Sequence, residues 1–262
     1  MFFPFHDDNP TERTPVVTFA IIGLNTLVFF WSIQLNPVQH RQLNLTRGFV
    51  PARIRQLVEP EPIAVPLIPA MRDRVGRVVP ARTLLLPPDR REILLSLITC
   101  MFLHAGLWHL LGNMWFLWLF GNNVEDRLGP VLFTILYLGG GLLASACHWL
   151  TDPAGVTPVI GASGAVAATL GAYFITWPWA RVHTLVFLFF FITVVHVPAV
   201  VVLGVWFLGQ LLAGHQALQA GDAHGVAWWA HVGGFVAGLV LMPLFAAFAG
   251  SQKSARRDDA QW

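Results

Sequence analysis

Six stretches of mostly apolar residues alternate with polar segments along the 262-residue chain: Val16–Gln34, Ile98–Gly121, Val131–Leu150, Val159–Trp177, Val194–Leu212 and Val226–Ala246. A helix that crosses the hydrocarbon core of a bilayer takes about 20 such residues at 1.5 Å rise each. The pattern therefore predicts an all-α, polytopic membrane protein built as a six-transmembrane-helix bundle. One stretch does not divide cleanly. The apolar run from Val182 to Ala213 exceeds a single span and is interrupted by His196 and Pro198, so its first part reads as a shorter interfacial or re-entrant piece.

The segments between the spans complete this organisation. Residues 1–14 carry Asp7, Asp8 and Glu12 in place of a basic leader, and no cleavage site follows the first apolar run, which is expected to stay as a transmembrane helix. Positions 36–97 form a long first loop rich in Pro and Arg. Proline removes a backbone donor and clashes with the preceding turn, so long regular elements are not expected there. The membrane domain then covers 15–247, with a C-terminal tail over 248–262.

Composition agrees. Hydrophobic residues make up 55% of the chain and charged residues 11%, against about 25% charged in soluble domains; mean hydropathy is +0.61. Sixteen Lys and Arg nearly balance fourteen Asp and Glu. No basic stripe is interleaved with aromatics, so no nucleic-acid partner is expected, and the bilayer is the medium. Cys100 and Cys147 lie in apolar segments and read as small hydrophobes. Arg13, Arg127, Arg181, Lys253, Arg256 and Arg257 fall on the side shared by both termini, whereas the short opposite loops near 151–158 and 214–225 hold no Lys or Arg. By the positive-inside rule both termini are cytoplasmic, although ten arginines in the first loop lie on the other side. Sequence gives no oligomeric state.

Polar side chains inside spans are costly and so point to function. His109 and Asn113, four residues apart, share a helix face. Ser163 opens the fourth span and His231 the sixth. These helices run the same way, which puts all four side chains roughly 5–15 Å below the outer surface. A serine hydroxyl needs a base, and a histidine near its ordinary pKa supplies one at neutral pH. Asn113, a ring N–H of His109 and the Ser163 backbone N–H are donors of the kind an oxyanion needs. No Asp or Glu lies within spans two, four or six, so a Ser163–His231 dyad is predicted, its imidazole held by packing. His231, Gly234 and Gly238 form one small-residue stripe and Gly164, Ala168 and Gly171 another, suited to close helix contact.

Gly161-Ala162-Ser163-Gly164, His109-Leu110-Leu111-Gly112-Asn113 and Ala230-His231-Val232-Gly233-Gly234-Phe235-Val236-Ala237-Gly238 resemble the three signatures of the rhomboid intramembrane serine proteases, in that family's order. The stretch from Gly121 to Gly129 resembles the loop after its second helix. The resemblance covers roughly positions 98–245. It implies a six-helix rhomboid fold, Ser163 as nucleophile, His231 as general base, and His109 and Asn113 as oxyanion donors. It also implies transmembrane protein substrates cut near the outer membrane face, here expected to be that of a bacterial plasma membrane, with no cofactor and no metal. His104 matches a histidine often found before His109; it reads either as a supporting residue of the site or as an interfacial histidine at a helix start. The chain departs from the family pattern twice: no tryptophan lies between Trp31 and Trp108, where many members carry a Trp-Arg pair, and Ala167 stands where some carry an aromatic. Two other readings are a non-catalytic member that binds transmembrane clients and a metal enzyme using His104, His109 and His231. The second lacks a His-Glu-x-x-His helix and a buried carboxylate base.

Overall fold

The computed structural model describes residues 2–68, 71–72, 78–79, 82–188, 191–220 and 226–259. Part of the predicted loop 214–225 and the last residues of the 248–262 tail thus lie outside the described residues. In chain order the elements are β1 (Phe2–Asp7), α1 (Val16–Ser32), α2 (Pro37–Arg47), a 3-10 turn (Pro51–Leu57), β2 (Ile63–Ile68), β3 (Met71–Arg72), β4 (Val78–Val79), β5 (Arg82–Leu86), α3 (Arg90–Thr99), α4 (Leu107–Leu128), α5 (Pro130–Thr151), α6 (Ser163–Thr176), β6 (Arg181–Leu188), β7 (Phe191–Pro198), α7 (Ala199–Ala220) and α8 (Trp228–Asp259). The fold is mostly helical, and the expectation of an all-α chain is corrected by these strands.

Helices α5, α7 and α8 are each long and apolar enough to cross a membrane. A fourth span arises if α3 with its 3-10 extension to Phe102 is joined to α4, across a bend of 81°. Helices α1 and α6 are apolar but shorter, at 17 and 14 residues. At about 1.5 Å per residue α6 is roughly 21 Å long, less than the roughly 30 Å hydrocarbon core.

The boundaries of α6 and α4 differ from the pattern for physical reasons. The predicted span from Val159 begins as extended chain, because Val159 pairs with Phe49 of the first loop. Gly161 N–H donates to the Cys100 carbonyl at 2.9 Å, and α6 starts only at Ser163. Irregular backbone at membrane depth is tolerated where it is buried and paired in this way. The predicted span from Ile98 is likewise broken, since Gly106 adopts an extended conformation before α4 begins at Leu107.

The first loop is more regular than its prolines suggested. Pro37 occupies the first turn of α2, where its missing N–H costs nothing, and Asn36 and Gln39 form a reciprocal capping box. Strands β2 and β5 pair antiparallel, and Leu45, Val50, Val65 and Leu86 bury a separate small core. Ala52 N–H donates to Gly155 O at 2.9 Å, so this loop is latched to the segment that leads into Ser163.

The stretch read as an interfacial or re-entrant piece is a β-hairpin of β6 and β7, joined by β1 into an antiparallel sheet of order β1-β6-β7. The predicted helical start at Val194 is therefore strand as far as Pro198, and α7 begins at Ala199. On the same end of the bundle, α1 has no side-chain cap of its own. Glu125 of α4 supplies one, accepting from the N–H groups of Val17 at 2.8 Å and Thr18 at 2.7 Å.

The core is made by α6 against α5 and α8. Along α6 the run from Gly164 to Tyr173 is buried without a break. A Cβ added to Gly234 would collide with the Gly164 carbonyl, one on Gly238 with that of Ala168, and one on Gly171 with that of Phe235. Only hydrogen fits where two helix backbones meet this closely. The two small-residue stripes therefore face each other.

Candidate active site

That contact delivers Ser163, the first residue of α6, to His231 in the first turns of α8. Ser163 Oγ lies 2.8 Å from His231 Nε2. Both line a cleft of about 550 Å³ whose other walls include Trp108, His109, Asn113, His148, Asp152 and Trp206. The opening N–H groups of a helix have no intrahelical acceptor, so α6 presents free backbone donors beside the serine hydroxyl.

His109 and Asn113 reach the same cleft from α4. Gly161, at φ 126°, holds a left-handed backbone that disfavours side chains, and a Cβ there would sit 2.7 Å from the His109 Nε2 and 3.6 Å from Ser163 Oγ. His109 Nδ1 accepts weakly from Ala105 N–H at 3.5 Å, a contact that favours the proton on Nε2, the nitrogen lying against Gly161. Asn113 Nδ2 donates to the His109 carbonyl at 3.0 Å, using one of its two N–H bonds. His104 is buried with its ring 5.1 Å from that of His109; neither of its nitrogens has a partner among the described residues.

Two features of the site escaped the sequence reading. His148, near the end of α5 and not among the residues singled out above, lines the cleft. More consequential, His231 is not held by packing alone. Its Nδ1 lies 2.7 Å from Gln210 Oε1, a side chain of α7. Trp206, one turn earlier on α7, has its ring 6.1 Å from the imidazole, and Trp228 stands edge-on at the same distance. Aromatic neighbours thus come from α7 and α8, while Ala167 of α6 is small and buried. The only signal for Gln210 was an amide inside an apolar helix.

A Ser-His pair opening on a mostly apolar cleft into which a few polar side chains converge, within a bundle of membrane helices, defines a class of polytopic membrane protein. The Rhomboid domain family model matches residues 91–248, and the chain belongs to the rhomboid family. Relatives include rhomboid-like protein 11, chloroplastic, of Arabidopsis thaliana, 30% identical over 162 residues, 58% of this chain and 52% of that one. Rhomboid protein 1, mitochondrial, of Saccharomyces cerevisiae is 35% identical over 108 residues, 40% of this chain and 31% of the relative. Rhomboid protease GluP of Bacillus subtilis is 38% identical over 76 residues, 29% of this chain and 14% of the relative. The chain therefore spans about half or less of the length of the relatives it matches.

Proposed function

We propose that this chain is an intramembrane serine endopeptidase that hydrolyses peptide bonds of transmembrane-helix substrates. The observation that carries the reading is the 2.8 Å contact of Ser163 Oγ with His231 Nε2 on an open cleft. On this reading Ser163 Oγ attacks the scissile carbonyl carbon as His231 Nε2 takes the hydroxyl proton. The carbonyl oxygen becomes an oxyanion that accepts from the Ser163 backbone N–H, His109 Nε2–H and the second Asn113 N–H. Collapse of the intermediate breaks the C–N bond, and the imidazolium gives its proton to the leaving amine. Water, activated by the freed imidazole, then releases the acyl group from Ser163.

The architecture proposed with it is a rhomboid bundle of six spans over 15–247, α1 and α6 being short ones. Both termini are placed in the cytoplasm of a bacterial cell and the cleft toward the outer face of the plasma membrane, from the distribution of Lys and Arg. Because a helical substrate hides its peptide bonds, segments with Gly or Pro near the cut, which unwind at least cost, are the favoured substrates.

The test is labelling of the full chain with a serine-reactive fluorophosphonate, alongside cleavage of a model transmembrane substrate. Wild type should label and cleave; Ser163→Ala should do neither while unfolding at the wild-type temperature. Cleavage by Ser163→Ala would end the reading.

A further inference from the structure

We propose that Gln210 is a positioning residue for His231, its side-chain carbonyl fixing the proton on Nδ1 so that the Nε2 lone pair faces Ser163. The inference rests on the reading of Ser163 and His231 as the reacting pair. A neutral imidazole carries one N–H and one lone pair, and which nitrogen holds the proton is decided by the partner of the other. If Nε2 held the proton it would donate to Ser163 Oγ and could not serve as the base.

The surroundings select the useful tautomer. Gln210 Oε1 is 2.7 Å from His231 Nδ1, and the other end of the same amide, Nε2, donates to the Trp206 carbonyl at 3.4 Å. Turning the amide over would set two carbonyl oxygens against each other at Trp206 and lose that bond. With the oxygen toward the ring, Nδ1 must donate, and all three groups are paired at once. The nearest carboxylates on α4 cannot take this role: Glu125 and Asp126 are engaged at the far end of that helix with α1 and the segment before it. Asp152 lines the cleft, but the atom bonded to Nδ1 is the Gln210 oxygen.

A carboxamide suits this depth. It accepts from Nδ1–H as a carboxylate would, without burying a formal charge among apolar helices. The cost is weaker stabilisation of the imidazolium that forms when Ser163 attacks. Position also matters, because Gln210 comes from α7, whose buried residues are only Ala199, Leu203 and Gly214. The orientation of the base is thus supplied by a different helix from those that bring serine and histidine together.

The experiment compares Gln210→Leu, which keeps bulk and removes the acceptor, with Gln210→Glu, which keeps an acceptor and adds charge, in the purified full chain with a model transmembrane substrate. Gln210→Leu should lower kcat about 10-fold or more with KM little changed, the loss of one oriented hydrogen bond, and slow fluorophosphonate labelling by a similar factor. Gln210→Glu should recover the rate and move the acid limb of the kcat/KM profile to higher pH, because a carboxylate favours the protonated, inactive ring. A Leu variant with wild-type kcat and labelling rate, or a Glu variant with no shift of that limb, would overturn the role of Gln210. Either result with Ser163→Ala inactive leaves the dyad standing, whereas an active Ser163→Ala removes both.

Discussion

Helix α6 carries a hydrogen-bonded hydroxyl near each end. At its start Ser163 Oγ meets His231 Nε2 at 2.8 Å; near its finish Tyr173 donates to Asp7 Oδ2 at 2.5 Å. Each hydroxyl thus faces a base drawn from another element. In the second pair the hydroxyl residue is covered. Tyr173 has no exposed surface, and the rings of Phe120 and Trp177 lie 4.8 and 5.1 Å from its own. The first pair opens on space for a substrate, has donors on a facing helix, and has its base tied from behind by Gln210. Short distance between hydroxyl and base is therefore common to a structural lock and a candidate site. Room and a preset tautomer separate them.

The comparison can be broken first at the bases. His231→Ala should abolish cleavage, a loss on the order of 10⁴ or more, measured as substrate turnover in proteoliposomes; Tyr173→Phe in the same assay should stay within about twofold of wild type. Asn113→Ala should lower kcat by about 10²–10³, the value of one oxyanion donor. A loss as complete as that of Ser163→Ala would point to collapse of the cleft. Gly238→Val tests whether backbone contact of α6 and α8 underlies both ends, and should cost about 3 kcal/mol or more by overpacking, read as a lowered unfolding temperature in detergent.

Smaller effects sharpen the contrast at the closed end. Tyr173→Phe leaves the Asp7 carboxylate buried without its donor and should cost about 1–3 kcal/mol of stability. Burial already holds the Asp7 carboxyl above the ordinary aspartate value, against the opposing hydrogen bond from Tyr173. The folded chain therefore binds this proton more tightly than the unfolded chain does. Its contribution is fully present below the unfolded value and is lost as pH rises through the folded one. Asp7→Asn should remove that dependence, so the stability of wild type relative to the variant should decline between acid and neutral pH in parallel melts.

Much of this arrangement was legible in the chain. Ser163, His231, His109 and Asn113 stood out because each is a polar side chain in an apolar segment, and direction along the spans put them at one depth. The glycines of α8 announced a close partner through their helical spacing. Gln210 was hidden because spacing assigns a face and never says which imidazole lies across from it. The hairpin of β6 and β7 was hidden differently. Its Val, Phe, Ile and Thr residues are strand formers, but a continuous apolar run in a membrane protein carries no alternation to distinguish strand from helix. The helices of the first loop were obscured by prolines that lie just inside or just before a helix start, where they favour helix entry.

The pairing of β1 with β6 sets Phe3 opposite Leu185, so the sheet joins segments separated by most of the chain. Trp115 of α4 donates to the Pro4 carbonyl at 2.8 Å, but the strand partner of β1 lies beyond α6. Such long-range closure is slow and comes late in assembly. The strand that brings Asp7 to Tyr173 is therefore held in its sheet by a contact of long sequence separation, the kind that closes slowly.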